Sequence, residues 1–165
     1  MAKRLILLAM AFGAMGFAPL AAQKPDDQIA PLSVQLQRQG EASLAAGKLE
    51  DANDSLETAL AVDPRNRAVF VALARVATRQ KLFGKAIRFT GKALSLEPND
   101  RDALAVQGVA MVEAGATPRA QQNLVRLQQI CVKGGCPQAA ELGAAIAHGP
   151  TVAAVKPQVA ATKKN

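Results

Sequence analysis

The chain contains two cysteines, and their spacing is the feature that most directly suggests chemistry. Cys131 and Cys136 are separated by four residues, and Pro137 follows. In an oxidising compartment, two cysteines on either side of a short turn usually pair. We therefore predict a structural disulfide that fixes the turn 133–135. A redox-active pair and two free thiols are the alternatives that the sequence leaves open, although redox-active pairs typically have two intervening residues.

The sequence offers few residues for catalysis or metal binding. His148 is the single histidine, which excludes a multi-histidine metal site. Asp51, Asp54 and Glu57 share one face of a predicted helix, a pattern typical of a solvated surface. No phosphate-binding loop or dinucleotide fingerprint is present. We therefore expect that the protein is not an enzyme and uses no metal or other cofactor.

A repeat of 34 residues predicts the helices on which these side chains lie. Residues 59–67 (ALAVDPRNR) are echoed by residues 93–101 (ALSLEPNDR), and Ala52 is echoed by Ala86. Small residues allow two antiparallel helices to approach closely, leucines at helical spacing provide an apolar face, and the proline ends the second helix. A period of this length is typical of stacked helix-turn-helix repeats.

The repeat resembles the tetratricopeptide repeat family. Units 33–66 and 67–100 carry the family's small residues and closing proline, whereas unit 101–134 keeps Gly108 but has Val132 in place of the proline. The resemblance implies an all-α fold, a short α-solenoid of about three helical hairpins with a C-terminal capping helix. The positions that carry the resemblance in the first two units are Gly40, Ala52, Ala59 and Pro64, then Ala74, Ala86, Ala93 and Pro98.

The domain boundaries follow from this pattern. We predict a repeat domain over residues 32–148, in which a cap at 136–148 covers the apolar face of the third unit and the disulfide holds it in place. Residues 23–31 are predicted to be a flexible lead-in, and residues 149–165 a disordered tail. The predicted helices span residues 32–46, 49–62, 67–80, 83–96, 101–114, 118–132 and 137–147.

Residues 1–22 have the pattern of a secretory signal peptide. Lys3 and Arg4 precede an apolar run, and small residues follow Leu20. We therefore expect the protein to be periplasmic or secreted in a bacterium. A segment retained as a membrane anchor is the alternative, although the run is short for a membrane span.

The net charge limits the classes of partner. The chain carries 20 basic and 13 acidic residues, and loss of Lys3 and Arg4 with the signal segment would leave 18 basic against 13 acidic residues, a net charge of +5. A basic chain is compatible with nucleic-acid binding. Export and the lack of aromatic side chains among the basic ones argue against it. We expect no nucleic-acid partner and a weak affinity for an anionic envelope surface.

The charge is unevenly divided between the repeats. The first unit sums to −3 and the second to +5. A shift of 34 residues places Asp51 over Lys85 and Asp54 over Arg88, and we hypothesise that these pairs attract each other across the stack. The alternative is that both charged faces are only solvated.

By resemblance to the family, the first helix of each hairpin lines a concave groove that binds an extended peptide or a partner helix. Arg75 and Arg79 lie one turn apart and could engage an acidic side chain or a phosphate. Solvation alone, or pairing with Glu41, is the alternative. The lysine and asparagine with which some family members clamp a peptide C-terminus are missing. The predicted binding residues are Gln37, Glu41, Val71, Arg75, Arg79, Val109 and Glu113.

These features predict a non-enzymatic adaptor or scaffold in the bacterial periplasm or envelope, which binds another envelope protein or a peptide through the groove. The alternative function is an accessory factor in the maturation of envelope proteins or cytochromes. A homodimer formed by stacking at the end near Leu32 and Leu36 is also left open.

Overall fold

A computed structural model describes residues 28–131 and 135–151, which form seven α-helices and no β-strand. The all-α fold predicted from the sequence is thereby confirmed. The predicted signal peptide, most of the lead-in and the tail beyond residue 151 lie outside the described residues. None of the seven helices is both long and apolar enough to cross a membrane. The helices are α1 (Pro31–Ala45), α2 (Leu49–Val62), α3 (Arg67–Arg79), α4 (Phe83–Leu96), α5 (Arg101–Glu113), α6 (Thr117–Ile130) and α7 (Pro137–His148).

The first six helices pack as three hairpins, α1 with α2, α3 with α4, and α5 with α6. The small residues of the repeat lie where the two helices of a hairpin meet, and Ala52, Ala86 and Ala120 are fully buried there. Gly40 of α1 lies so close to α2 that a Cβ atom at this position would be 2.5 Å from Leu56 Cγ. The repeat therefore needs small residues because of the short distance between helices.

The three hairpin turns share one equivalent residue in the left-handed backbone conformation. It is Gly47 in the first turn (φ 76°), Lys81 in the second (φ 60°) and Gly115 in the third (φ 77°). Glycine adopts this conformation freely, whereas a residue with a Cβ atom loses about 1 kcal/mol. Lys81 is therefore a strained residue at a position where the repeat favours glycine.

The first helices contact one another along the stack, α1 with α3, α3 with α5 and α5 with α7, whereas α2 and α4 share no contact. The second helices are thus spread apart on the outer side. The ion pairs hypothesised between α2 and α4 therefore do not form. Within residues 28–131 and 135–151, no ion pair joins Asp51 to Lys85 or Asp54 to Arg88, and the two aspartates are exposed to solvent.

Helix α7 takes the place that the first helix of a fourth hairpin would occupy, packed against α5 and α6. Its fully buried Leu142 follows Gly108 by one repeat length, and a Cβ atom at Gly108 would lie 2.5 Å from Leu142 Cδ1. Cys131, just after α6, and Cys136, just before α7, form a disulfide with their Cα atoms 5.8 Å apart. Helix α7 therefore covers the apolar face of the third hairpin.

The opposite end of the stack is fastened by polar contacts around the turn between α2 and α3. The carboxylate of Asp63 accepts hydrogen bonds from the backbone N–H groups of Ala30 (2.9 Å) and Arg65 (3.1 Å). Hydrogen bonds from the Arg65 side chain, followed by the one from Ala30, lower the pKa of Asp63 from its ordinary value of 3.8 to about 2. Arg65 also donates to the carbonyl oxygen of Gln28 (3.2 Å). These bonds tie the residues before α1 to the stack.

Asn66 and Asp100 occupy the same position in two successive turns but make different contacts. Asp100 caps α5, because its Oδ1 accepts a hydrogen bond from Ala103 N (2.8 Å), and it also forms an ion pair with Arg67. Asn66 Nδ2 instead donates to Ser33 Oγ (3.0 Å), and both of these residues are buried. The turn between α2 and α3 is therefore bonded back to α1.

Candidate functional site

The helices α1, α3, α5 and α7 line the concave side of the stack. A depression of about 430 Å³ lies between α1, α3 and the start of α5. It brings together four of the predicted binding residues, Glu41 from α1 with Val71, Arg75 and Arg79 from α3. Asp102 lines the same depression from α5. Side chains that are far apart in sequence thus form one surface, because the first helices of the hairpins lie side by side and expose equivalent positions to the groove.

A second depression, of about 240 Å³, continues the groove toward α7. It shares Arg75 and Arg79 with the first depression, and α5 contributes Val109. Leu44 of α1 and Glu141 of α7 also line it. The groove therefore has an apolar strip, two arginines in its centre and a carboxylate from the terminal helix.

Two of the predicted binding residues lie outside both depressions. Gln37 borders a separate depression of about 680 Å³ near the turn between α2 and α3, and its amide donates to Glu41 Oε1 (2.9 Å). The Oε2 atom of Glu113 accepts hydrogen bonds from Thr151 N (3.0 Å) and Thr151 Oγ1 (2.7 Å). Glu113 is therefore engaged by the residues that follow α7.

The arginines differ in how far the protein itself neutralises them. Arg75 Nη2 lies 3.8 Å from Asp102 Oδ1, and these side chains are 43% and 55% exposed. An exposed pair at this distance is weak and is readily exchanged for another anion. Glu41, the partner considered from the sequence, forms no ion pair with Arg75, and across the described parts of the chain Arg79 has no ion pair either. The centre of the groove thus carries positive charge that is available to a ligand.

The sequence reasoning missed the contributions of Asp102 and Glu141. Asp102 lies in the first turn of α5, where it reaches Arg75 of the preceding hairpin. Glu141 lies on α7, which the sequence predicts only as a cap. Extension of the 34-residue period by one more unit aligns Leu142 with Gly108 and would have identified α7 as a groove-lining helix.

The arrangement in the groove is suited to binding. Its polar groups include the guanidinium groups of Arg75 and Arg79 and several carboxylates beside apolar side chains, which is a combination that recognises charged and apolar side chains of a peptide. In the stretches 28–131 and 135–151, no group of three or more His, Cys, Asp or Glu side chains is arranged to hold a metal ion.

Comparison with known proteins finds a family match over part of the chain. Residues 43–109 match the family described as tetratricopeptide repeat. No curated protein matches the chain. The fold is similar to the first such domain of Spaghetti (RPAP3) bound to the HSP90 peptide SRMEEVD, with a TM-score of 0.64 at 20% identity over 71% of this chain and 91% of the other.

Two further solved structures share the fold. For the TPR2B domain of yeast Sti1 in its pHsp70 complex, the TM-score is 0.64 at 13% identity, over 72% of this chain and 98% of the other. For the type III secretion translocator chaperone SycD of Yersinia enterocolitica, it is 0.63 at 16% identity, over 72% and 89%. At these identities the likeness concerns the fold.

Proposed function

Since the described chain has the tetratricopeptide repeat fold, we propose that the protein is a non-enzymatic adaptor that binds a protein partner through its concave groove. The observation that carries this proposal is the position of Arg75 and Arg79, one helical turn apart in the centre of the groove. Arg75 has only a long, exposed contact to Asp102, and Arg79 has no ion pair in the part of the chain that the structure describes.

The groove favours an extended segment or a helix that places an acidic side chain between apolar ones. Guanidinium groups bind carboxylates through charge-assisted hydrogen bonds, and Leu44, Val71 and Val109 offer apolar contacts on either side. One protein with this fold is bound to an HSP90 peptide and another is in a complex with pHsp70, which supports a protein or peptide as the class of ligand. The lysine and asparagine of the C-terminal clamp are missing here, so we infer recognition of an internal acidic residue.

We further propose that this binding takes place in the bacterial periplasm or envelope. The support is the signal-like pattern of residues 1–22. The partner would then be another envelope protein, and the basic net charge would add a weak attraction to anionic envelope surfaces. N-terminal sequencing of the protein isolated from a bacterial periplasmic fraction tests the location, and recovery of the uncleaved chain only from the cytoplasmic fraction contradicts it.

Site-specific photo-cross-linking tests the groove. A photoreactive residue at Val71 should give a discrete cross-linked species in cells, because Val71 lies in the groove between α1 and α3. The same residue at Val125, which is 52% exposed on α6 and lines neither groove depression, is the matched control. The charge reversal Arg75→Glu with Arg79→Glu should reduce the cross-linked species at least tenfold, about 1.4 kcal/mol in affinity.

A second pair of substitutions separates groove recognition from net charge. Lys85→Glu with Arg88→Glu changes the total charge by the same amount but acts on the outer face of α4. Cross-linking at Val71 should be unchanged in this variant. Equal losses in both double variants would show that only the overall charge matters and would refute the groove as the binding site.

The disulfide provides a test of the alternative function in envelope-protein or cytochrome maturation. Both cysteines are half-buried and join α6 to α7, which is consistent with a structural bond. Replacement of Cys131 and Cys136 by serine should therefore leave the cross-link at Val71 in place. Loss of a maturation activity with an intact fold and intact groove binding would instead support a role in thiol chemistry.

A further inference from the structure

The outer faces of α2 and α4 carry opposite charges. Helix α2 has only acidic charged residues, and helix α4 has only basic ones. Most of these side chains are exposed, and Lys85 is partly exposed. The acidic set is Glu50, Asp51, Asp54 and Glu57, and the basic set is Lys85, Arg88 and Lys92.

These charges are not neutralised within the chain. In the ranges that the structure describes, none of the seven side chains has an ion pair. Glu50 accepts one long hydrogen bond from Gln80 (3.4 Å), and Lys85 Nζ lies 5.5 Å from the centre of the Phe89 ring. The two faces are therefore free to meet a complementary surface.

Each outer face complements the other in register. One repeat length separates Asp51 from Lys85 and Asp54 from Arg88. Because α2 and α4 are equivalent helices of neighbouring hairpins, they run in the same direction and equivalent residues lie at similar heights along them. Helices α2 and α4 do not contact each other within one chain, so these opposite charges do not pair within the chain.

We propose that two copies of the protein associate through these outer faces, related by a twofold axis that runs between α2 and α4 and parallel to them. Rotation about this axis keeps each residue at the same height along the helix direction. It places α2 of one copy where it faces α4 of the other copy. Asp51 comes opposite Lys85 of the partner subunit, and Asp54 comes opposite Arg88 of the partner subunit, twice in each dimer.

A second copy fits this surface better than an anionic membrane does. A membrane of one charge would attract α4 but repel α2, which lies beside it on the same side of the stack. A second copy presents a matching charge to both helices. The ends of the two helices also fit, because the exposed Thr58 and Ala61 of α2 are small and come opposite the open, largely apolar depression that Phe70 and Phe89 line beside α4.

The dimer should be sensitive to salt. A single exposed ion pair contributes little, but the twofold axis repeats every pair, so the charges act together. Screening at about 0.5 M salt, where the Debye length is only a few ångströms, should weaken association at least tenfold relative to about 20 mM. Sedimentation equilibrium of the purified protein at these two salt concentrations measures this change.

Charge-reversal variants test the pairing of faces. Asp51→Lys with Asp54→Arg makes both faces basic, and Lys85→Asp with Arg88→Asp makes both faces acidic. Each variant alone should be monomeric at low salt, and an equimolar mixture of the two should form a heterodimer. The chain with all four substitutions, in which the two faces exchange their charges, should dimerise again.

Other results would overturn the proposal. A monomer at low salt contradicts it directly, and so does a dimer that persists in either double variant alone. Leu32→Glu serves as the control, because Leu32 is 53% exposed on α1 and belongs to neither of the two faces. Loss of the dimer in this variant would show that association occurs by end-to-end stacking and would refute the outer-face dimer. Circular dichroism of each variant confirms that the helices are retained.

Discussion

The two ends of the repeat stack are stabilised in different ways. At the first end, polar contacts fasten the chain, since Asp63 binds Ala30 and Arg65 and the buried Ser33 donates to the carbonyl oxygen of Ala59 (2.8 Å). At the last end, the apolar side chain of Leu142 fills the space above the third hairpin. Helix α7 therefore covers the last terminal face, whereas at the first end hydrogen bonds hold the residues before α1 to the turn between α2 and α3 and Leu32 stays 53% exposed.

This comparison of the two ends shows that equivalent residues of the repeat make different contacts, depending on which hairpin they belong to. Asp63 and Glu97 are equivalent in the sequence, yet Asp63 is buried and Glu97 is exposed. Glu97 only accepts a hydrogen bond from Asn99 N (3.0 Å) within its own turn. The turn between α2 and α3 holds the residues that precede α1 through Asp63, whereas Glu97 in the turn between α4 and α5 bonds only within its own turn.

The largest expected effect lies at the last end. Leu142→Ala should lower the free energy of unfolding by roughly 3 kcal/mol, because it removes a fully buried side chain and leaves a cavity above α5. Leu96→Ala, at a leucine that is 47% exposed, is the control and should cost under about 0.5 kcal/mol. Urea denaturation measures both. Equal losses would mean that α7 is not a packed part of the stack.

A double variant sharpens this test. Gly108→Ala alone should be destabilising, because the added Cβ atom would lie 2.5 Å from Leu142 Cδ1. In the Leu142→Ala background, the same substitution should cost less, because the obstructing atoms are gone. Strictly additive losses would argue against direct contact between these residues.

Reduction of the disulfide should have the next largest effect, confined to the same end. The bond between Cys131 and Cys136 closes a short loop, and its loss should cost about 2 kcal/mol on the chain-entropy estimate. Hydrogen exchange should quicken in α7 while α1 stays protected. Faster exchange throughout the chain would show that the two ends are not independent.

Acid should act on the first end. The pKa of Asp63 is lowered to about 2 in the folded protein, so the unfolded chain takes up this proton at a higher pH than the folded chain does. The stabilisation from Asp63 is thus complete above about pH 4 and is lost as the pH falls toward 2. Thermal melts from pH 5 to pH 2 should show a smaller decline for Asp63→Asn than for the unmodified protein. The control Glu97→Gln should keep the original decline.

The smallest expected effect is a gain in the middle hairpin, which serves as a reference for both ends. Lys81→Gly should raise the free energy of unfolding by about 0.5–1 kcal/mol, because glycine removes the strain at φ 60°. The reverse change, Gly47→Lys, should cost a similar amount. The gain from Lys81→Gly should persist in the Leu142→Ala background, and its disappearance there would show that the last end controls the middle of the stack.

Most of the groove could be predicted from the sequence, because the repeat assigns each residue to a helix face. Val71, Arg75 and Arg79 therefore appear where the pattern placed them. Gln37 and Glu113 carry the same periodicity but lie outside the two depressions of the groove. Thr151 binds Glu113 from a segment 38 residues later in the chain, and such a contact has no periodic signal.

The sequence by itself determined the helices and their pairing. A 34-residue period of small residues, leucines and prolines constrains only local geometry, and local geometry was enough for α1 to α7. The tertiary structure alone decided that Asp63 is anchored, that Glu141 joins the groove and that Asp51 does not reach Lys85. These outcomes depend on distances between hairpins, and those distances are fixed by the packing of the whole stack, in which the first helices are close together and the second helices are spread apart.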